Sequence, residues 1–170
     1  MKYAVWLLLI SLFGCAQKPV VTVVDKPFDT ASAWTTADAD QVAKAMTADM
    51  LGFPWLAGFQ QRTNGESPVL QVGQLDDQTN EQLAMEYFRE ALNQQLLAAK
   101  SVKAVAGEHG EADFVLSGRI NVQIEQTEVQ RTARYQVTLN LIEKLTQRQV
   151  WFGEYMIEKK QRKTPVQPRS

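Results

Sequence analysis

The chain has one cysteine and one histidine among 170 residues. A single cysteine excludes an internal disulfide. A single histidine excludes paired-histidine zinc sites built from this chain alone. Any Ser-His-Asp or Cys-His set would have to use His109. An excess of either charge is also missing. Eighteen Lys and Arg stand against 19 Asp and Glu, a formal −1, so no basic field advertises nucleic acid. Phosphate-loop, dinucleotide-loop and nucleophile-elbow patterns are absent. No apolar run reaches the roughly 20 residues of a membrane-spanning helix. What remains is ordinary globular composition, 45% hydrophobic and 22% charged, long enough for one domain with its own core.

The N-terminus is the most specific feature. Met1-Lys2 leads into an apolar stretch from Tyr3 to Phe13, followed by Gly14-Cys15. One positive charge, a short apolar run and a small residue at the cut describe a secretory signal peptide over residues 1–14. Leu12-Phe13-Gly14-Cys15 resembles a bacterial lipobox, which implies that Cys15 is lipidated and becomes the first residue of the mature chain. A triacylated cysteine supplies the several acyl chains that stable anchoring requires. Ala16-Gln17 follow where an inner-membrane retention signal would place Asp, which implies an outer-membrane address. Residues 15–32 are expected to be a flexible tether, with the valine run at 20–24 able to add an edge strand. Residues 16–32 span roughly 55–60 Å fully extended, at about 3.3–3.6 Å per residue.

The rest reads as a single α+β domain over residues 33–163, with a disordered tail at 164–170. The fold expected is a small, mostly antiparallel sheet of about four strands flanked by helices. Asp38 with Gln41 suggests a helix start, and Val42, Ala43, Met46 and Met50 follow at helical spacing until Gly52 and Pro54. Phe53 to Phe59 reads as an apolar knot without regular structure, packed under the sheet or protruding as anchors. Residues 69–74 read as a strand. Thr79 with Gln82 suggests a capping box for a helix over 80–99, and residues 102–105 a short strand. From Phe114 onward the apolar residues alternate with polar ones in three successive segments, an antiparallel meander. Its apolar face needs helices over it.

Catalytic candidates are few. His109 reads as a loop histidine, and Asp76-Asp77 as acids beside a helix N-terminus rather than a metal or acid–base pair. No metal site, no cofactor and no enzyme activity are expected. A hydrolase using Asp76, Asp77 and His109 ranks last. For partner binding the candidates are Arg119, Arg131, Arg134 and Arg148, since arginine suits interface hot spots. Arg119 falls on a polar strand face, and Arg131 and Arg148 in links. A basic segment from Lys159 onward reads as a solubilising tail, with contact to anionic head groups as the alternative.

Three blocks carry a family resemblance: residues 68–79 (Pro-Val-Leu-Gln-Val-Gly-Gln-Leu-Asp-Asp-Gln-Thr), 112–118 (Ala-Asp-Phe-Val-Leu-Ser-Gly), and 135–143 with Val150-Trp151. In this order, behind a lipobox, they resemble the LpoB-type outer-membrane lipoprotein activators of bifunctional penicillin-binding proteins. The resemblance covers roughly residues 38–163. It implies a non-catalytic periplasmic domain, monomeric, that docks on a bifunctional class A penicillin-binding protein and stimulates peptidoglycan synthesis. It names no contact residue. The family's tether is longer and richer in Pro and Gln than residues 16–32. The alternative is a structural accessory lipoprotein of a surface-appendage or secretion apparatus built on a related domain.

Overall fold

In the computed structural model, residues 24–25, 33–105, 111–128 and 130–162 are described. Cys15, His109 and the expected tail at 164–170 lie outside the described residues. The elements run β1 (Val24–Asp25), α1 (Thr36–Leu51), α2 (Pro54–Arg62), β2 (Val69–Asp77), α3 (Met85–Ala98), β3 (Lys103–Val105), β4 (Phe114–Gln126), β5 (Gln130–Glu143) and β6 (Arg148–Arg162). The strands form one sheet in the order β1-β6-β5-β4-β2-β3.

The α+β class and the meander are as expected: β4, β5 and β6 pair antiparallel in sequence order. The sheet is larger and more mixed than the four mostly antiparallel strands expected. Strand β2 runs parallel to both β3 and β4, and the two-residue β1 runs parallel to β6. A strand followed by a helix and a parallel partner needs a crossover, and α3 supplies it between β2 and β3.

Period 2 decides which face is covered. On β5, Ala133, Tyr135, Val137, Leu139 and Leu141 are buried, and so are Phe114, Leu116 and Ile120 on β4. All three helices lie on that side. Helix α1 contributes Val42, Ala43, Met46 and Met50, and α3 contributes Phe88, Leu92 and Leu96. Two layers result, with the opposite sheet face left open.

Several local expectations change for identifiable reasons. Helix α1 starts one turn earlier in role than Asp38 suggests. Thr35 is the N-cap and Asp38 the third helical residue, each side chain accepting from the other's backbone N–H. Residues 53–59 are not an irregular knot. Pro54 opens α2, where a missing N–H costs nothing, and Trp55 and Phe59 pack onto Phe114 at ring-centroid distances of 4.8 and 5.5 Å. Phe53, at the N-cap of α2, is half exposed. The expected capping box at Thr79 does not form, and α3 begins only at Met85. Asp77 gathers the donors instead: its carboxylate accepts from the Thr79 N–H and hydroxyl and from the Leu83 N–H, at 2.6–2.8 Å. Winding the loop about that carboxylate takes Asn80 and Gln82 to φ of 63° and 52°.

The basic segment from Lys159 is not a tail. Strand β6 continues to Arg162, and Lys159 is buried. Its ammonium donates to Asp38 and, at 2.7 Å, to the Ala33 carbonyl oxygen. Further along, Gln41 Nε2 donates to the Tyr155 hydroxyl at 2.9 Å and Trp151 Nε1 to Asp49 at 2.9 Å. Three side chains of α1 are thereby fixed along β6, running the opposite way.

Removing one member of a buried ion pair strands the other, at a cost of about 3–5 kcal/mol. Asp38→Ala is expected to lose about that much stability in urea unfolding at neutral pH. The double variant Asp38→Ala/Lys159→Met is expected to recover a large part of it. A double variant as unstable as the sum of its single changes would contradict this account.

Candidate functional site

The open sheet face is built from alternate residues of β4, β5 and β6. Its centre is a polar hollow lined by Gln74, Asp76, Ser117, Arg119, Thr138 and Asn140. A β-bulge shapes it. Pairing of β2 with β4 steps from Val72↔Leu116 to Leu75↔Gly118, so β2 carries one extra residue at Gly73-Gln74. Both glycines answer close approach. A Cβ on Gly73 would meet the Val115 side chain, and one on Gly118 would meet the Thr138 carbonyl. From the helix side, Arg89 of α3 donates to the Val72 carbonyl oxygen at 3.0 Å and to that of Gly73. Those hydrogen bonds hold the bulge in place, and Gln74 consequently reaches Asp76 at 2.7 Å.

Arg119 sits in the middle of this face. Asp76 and Thr138 are its register partners on β2 and β5. Its guanidinium makes no ion pair with any described residue, although Asp76 is its neighbour. Further along the same face, Arg134 lies between two carboxylates, 2.6 Å from Glu125 and 2.7 Å from Glu158. Glu158 is held below the usual carboxylate range by Lys160 and then by Arg134. Beside them Phe152 and Met156 remain 52% and 38% exposed.

The four arginines singled out in the sequence therefore do not form one patch. Arg119 and Arg134 share the open face. Arg131 is on β5 rather than in a link, in phase with the covered side, where it reaches Glu81 at 3.5 Å. The Tyr135 hydroxyl donates to the other oxygen of Glu81. Burial first, and that hydrogen bond second, push the Tyr135 hydroxyl well above the ordinary tyrosine range. Arg148 opens β6 at the hairpin end, 3.9 Å from Glu143, which also takes Arg62 at 3.0 Å and the Thr146 hydroxyl at 2.6 Å. Near that end, Phe53, Pro54 and Val150 line a second, more apolar hollow.

Asp76 and Asp77 do not act as a pair. Asp76 faces the open side, and Asp77 organises the loop before α3. Burial pushes Asp77 up, but the hydrogen bonds from Thr79 and Leu83 outweigh it and hold the carboxyl below its ordinary value of 3.8. Among the described residues no cluster of His, Cys, Asp and Glu could hold a metal ion, and no helix is long and apolar enough to cross a membrane.

With this geometry in hand, the chain can be set beside known proteins. The sequence model of a family described as peptidoglycan-synthase activator LpoB matches residues 38–111 and 105–157. No curated protein sequence matches. Among solved structures, the LpoB C-terminal domain from Escherichia coli aligns at TM-score 0.50 and 15% identity, over 70% of this chain and 97% of that one. The same domain from Salmonella enterica aligns at TM-score 0.48 and 15% identity, with the same coverage. The solution structure of Escherichia coli LpoB gives TM-score 0.48 and 16% identity, over 96% of this chain and 92% of that one.

A carboxyl with a lowered folded pKa stabilises the fold fully above its unfolded value and loses that contribution as pH falls through the folded value. Asp77→Asn is therefore expected to cost about 1–2 kcal/mol at pH 7, the size of a lost capping carboxylate. Below pH 3.8 the difference from wild type should shrink. Stability measured by urea unfolding from pH 7 to pH 2.5 checks this, and a difference that grows toward acid would refute it.

Proposed function

The chain belongs to the LpoB family of peptidoglycan-synthase activators, and from that premise we propose that it is an outer-membrane lipoprotein acting by direct contact with a bifunctional class A penicillin-binding protein. The family match over residues 38–157 carries this reading. The lipobox ending at Cys15 supports the anchor, with the domain facing the periplasm. In this account the chain performs no chemistry of its own. The synthase holds the active groups, and the activator binds its active conformer more tightly than its idle one. Tenfold tighter binding to the active conformer shifts that equilibrium tenfold, about 1.4 kcal/mol.

The open sheet face is the surface offered for contact. It presents hydrogen-bonding groups of both kinds around Arg119, whose exposed guanidinium makes no ion pair with a carboxylate among the described residues and is placed to meet one on the synthase. Arg134 is already engaged on both sides, and Arg131 faces the helix layer. Arg119 is thus the first of the four arginines to test, with Arg148 at the hairpin end as the second.

The soluble domain, residues 30–170, added to purified bifunctional synthases should raise the rate of glycan chain formation with saturable dose dependence for one synthase. No binding and no rate change with any of them would overturn the proposal. Arg119→Glu should weaken that stimulation tenfold or more. Its unfolding free energy should stay within about 0.5 kcal/mol of wild type, as for an exposed side chain. Stimulation unchanged by Arg119→Glu would remove the open face from the contact. Separately, palmitate labelling in cells should depend on Cys15, and labelling that survives Cys15→Ser would exclude the anchor.

A further inference from the structure

Helix α2 and the start of β6 enclose a hollow of about 380 Å³. That is the small end of the range for ligand sites, roughly 300–1,000 Å³, and suits one or two side chains rather than a large cofactor. The hollow shares no residue with the one around Arg119. Its walls are apolar, with Phe53, Pro54 and Trp55 on the α2 side and Val150 on the β6 side. A bulge frees Val150 for this. Pairing of β6 with β5 steps from Gln149↔Ile142 to Trp151↔Leu141, so Val150 is an extra residue with no partner on β5. Trp55 Nε1 donates to the Met50 carbonyl oxygen at 2.7 Å. The indole's one donor is thereby used, and what Trp55 offers the hollow is apolar surface. Phe53 stays half exposed.

The charge at this hollow has one sign. Both charged residues that line it are arginines, Arg62 and Arg148, with side chains 55% and 67% exposed. A single carboxylate serves them. Glu143, nearly buried, accepts from Arg62 at 3.0 Å and from the Thr146 hydroxyl at 2.6 Å. Arg148 comes only to 3.9 Å of it, too far for a hydrogen bond. Among the described residues Arg148 has no other carboxylate. Two guanidinium charges therefore share one carboxylate, and Arg148 has donors to spare for a second. Apolar walls beside a surplus positive charge fit one ligand chemistry: a large apolar side chain with a carboxylate next to it. Aromatic side chains and arginine are also the types enriched where interfaces gain most of their affinity.

We infer that this hollow docks a segment of a partner protein in which an aromatic or long aliphatic side chain is flanked by Asp or Glu. The apolar side chain fills the space between α2 and Val150 and covers Phe53. The flanking carboxylate meets Arg148, whose guanidinium offers two parallel donors to it. A basic flank is refused, because it would set like charges together where a positive charge is already in surplus. The hollow takes such a segment whether or not the open face meets the synthase.

Three blocked peptides test this by NMR titration of residues 15–170 bearing Cys15→Ser: acetyl-Gly-Asp-Phe-Asp-Gly-amide, the same peptide with Lys for both Asp, and the same peptide with Ser for Phe. The first should move the Trp55 indole N–H and the amides of residues 53–62 and 148–150. It should bind at least tenfold more tightly than either of the others. Arg148→Glu should reverse the preference, so that the lysine peptide binds more tightly than the acidic one, with amide positions elsewhere in the spectrum unchanged. Arg119→Glu should leave the titration as it is, which separates this site from the synthase contact. No movement with about 5 mM acidic peptide would overturn the inference. Equal binding of the acidic and lysine peptides, or movement centred on Arg119 and Thr138, would overturn it as well. So would movement of the same amides on raising the protein concentration alone, because a second copy of the chain would then be the occupant.

Discussion

Lys159 takes its charge into the interior and finds Asp38 there. The same carboxylate accepts from the Thr35 N–H and hydroxyl that begin α1. One side chain therefore caps a helix, neutralises a buried ammonium and joins the start of the domain to its last strand. The Ala33 carbonyl completes the ammonium's set, which fixes the incoming chain as well. A hydrophobic pair at these positions would pack without choosing a register. An ion pair whose members are both committed to other hydrogen bonds does choose one, because any slip leaves a buried charge without its partner.

From that fixed point the layering follows. Helix α1 lies against β6 through Gln41 and Asp49 as well as Asp38, and α3 packs beside it. With every helix on one side, the polar residues at alternate positions of β4, β5 and β6 are left together on the other. The bulge at Gly73-Gln74, held from behind by Arg89, links the two sides. A helix residue sets the shape of a surface that it does not touch.

Much of this was legible in the sequence, and the misses share a cause. The strands from residue 114 onward and the cores of α1 and α3 follow from local period, and period survives in one dimension. Helix α2 was hidden because Pro54 reads equally as the end of one helix and the first residue of the next. The late start of α3 was hidden because Thr79 and Gln82 fit a capping pattern, while the neighbouring Asp77 took the donors. Lys159 passed for a surface charge because its partner lies 121 residues away. The four arginines could be chosen by type, but only the pairing of strands separates Arg119 and Arg134 from Arg131 and Arg148. The parallel placement of β2 is likewise a property of strand order, which no local pattern encodes.

The bond between α1 and β6 also bears on timing. A chain is made from its N-terminus, and contacts between distant residues can form only when the later residue exists. Helix α1 is among the first elements to emerge. Yet Trp151, Tyr155 and Lys159, which seat it, come near the end of the chain. A partly synthesised chain has no completed form of this domain to settle into. Helix α1 can meet α3 earlier, but its polar contacts through Asp38, Gln41 and Asp49 are completed only once β6 has been made.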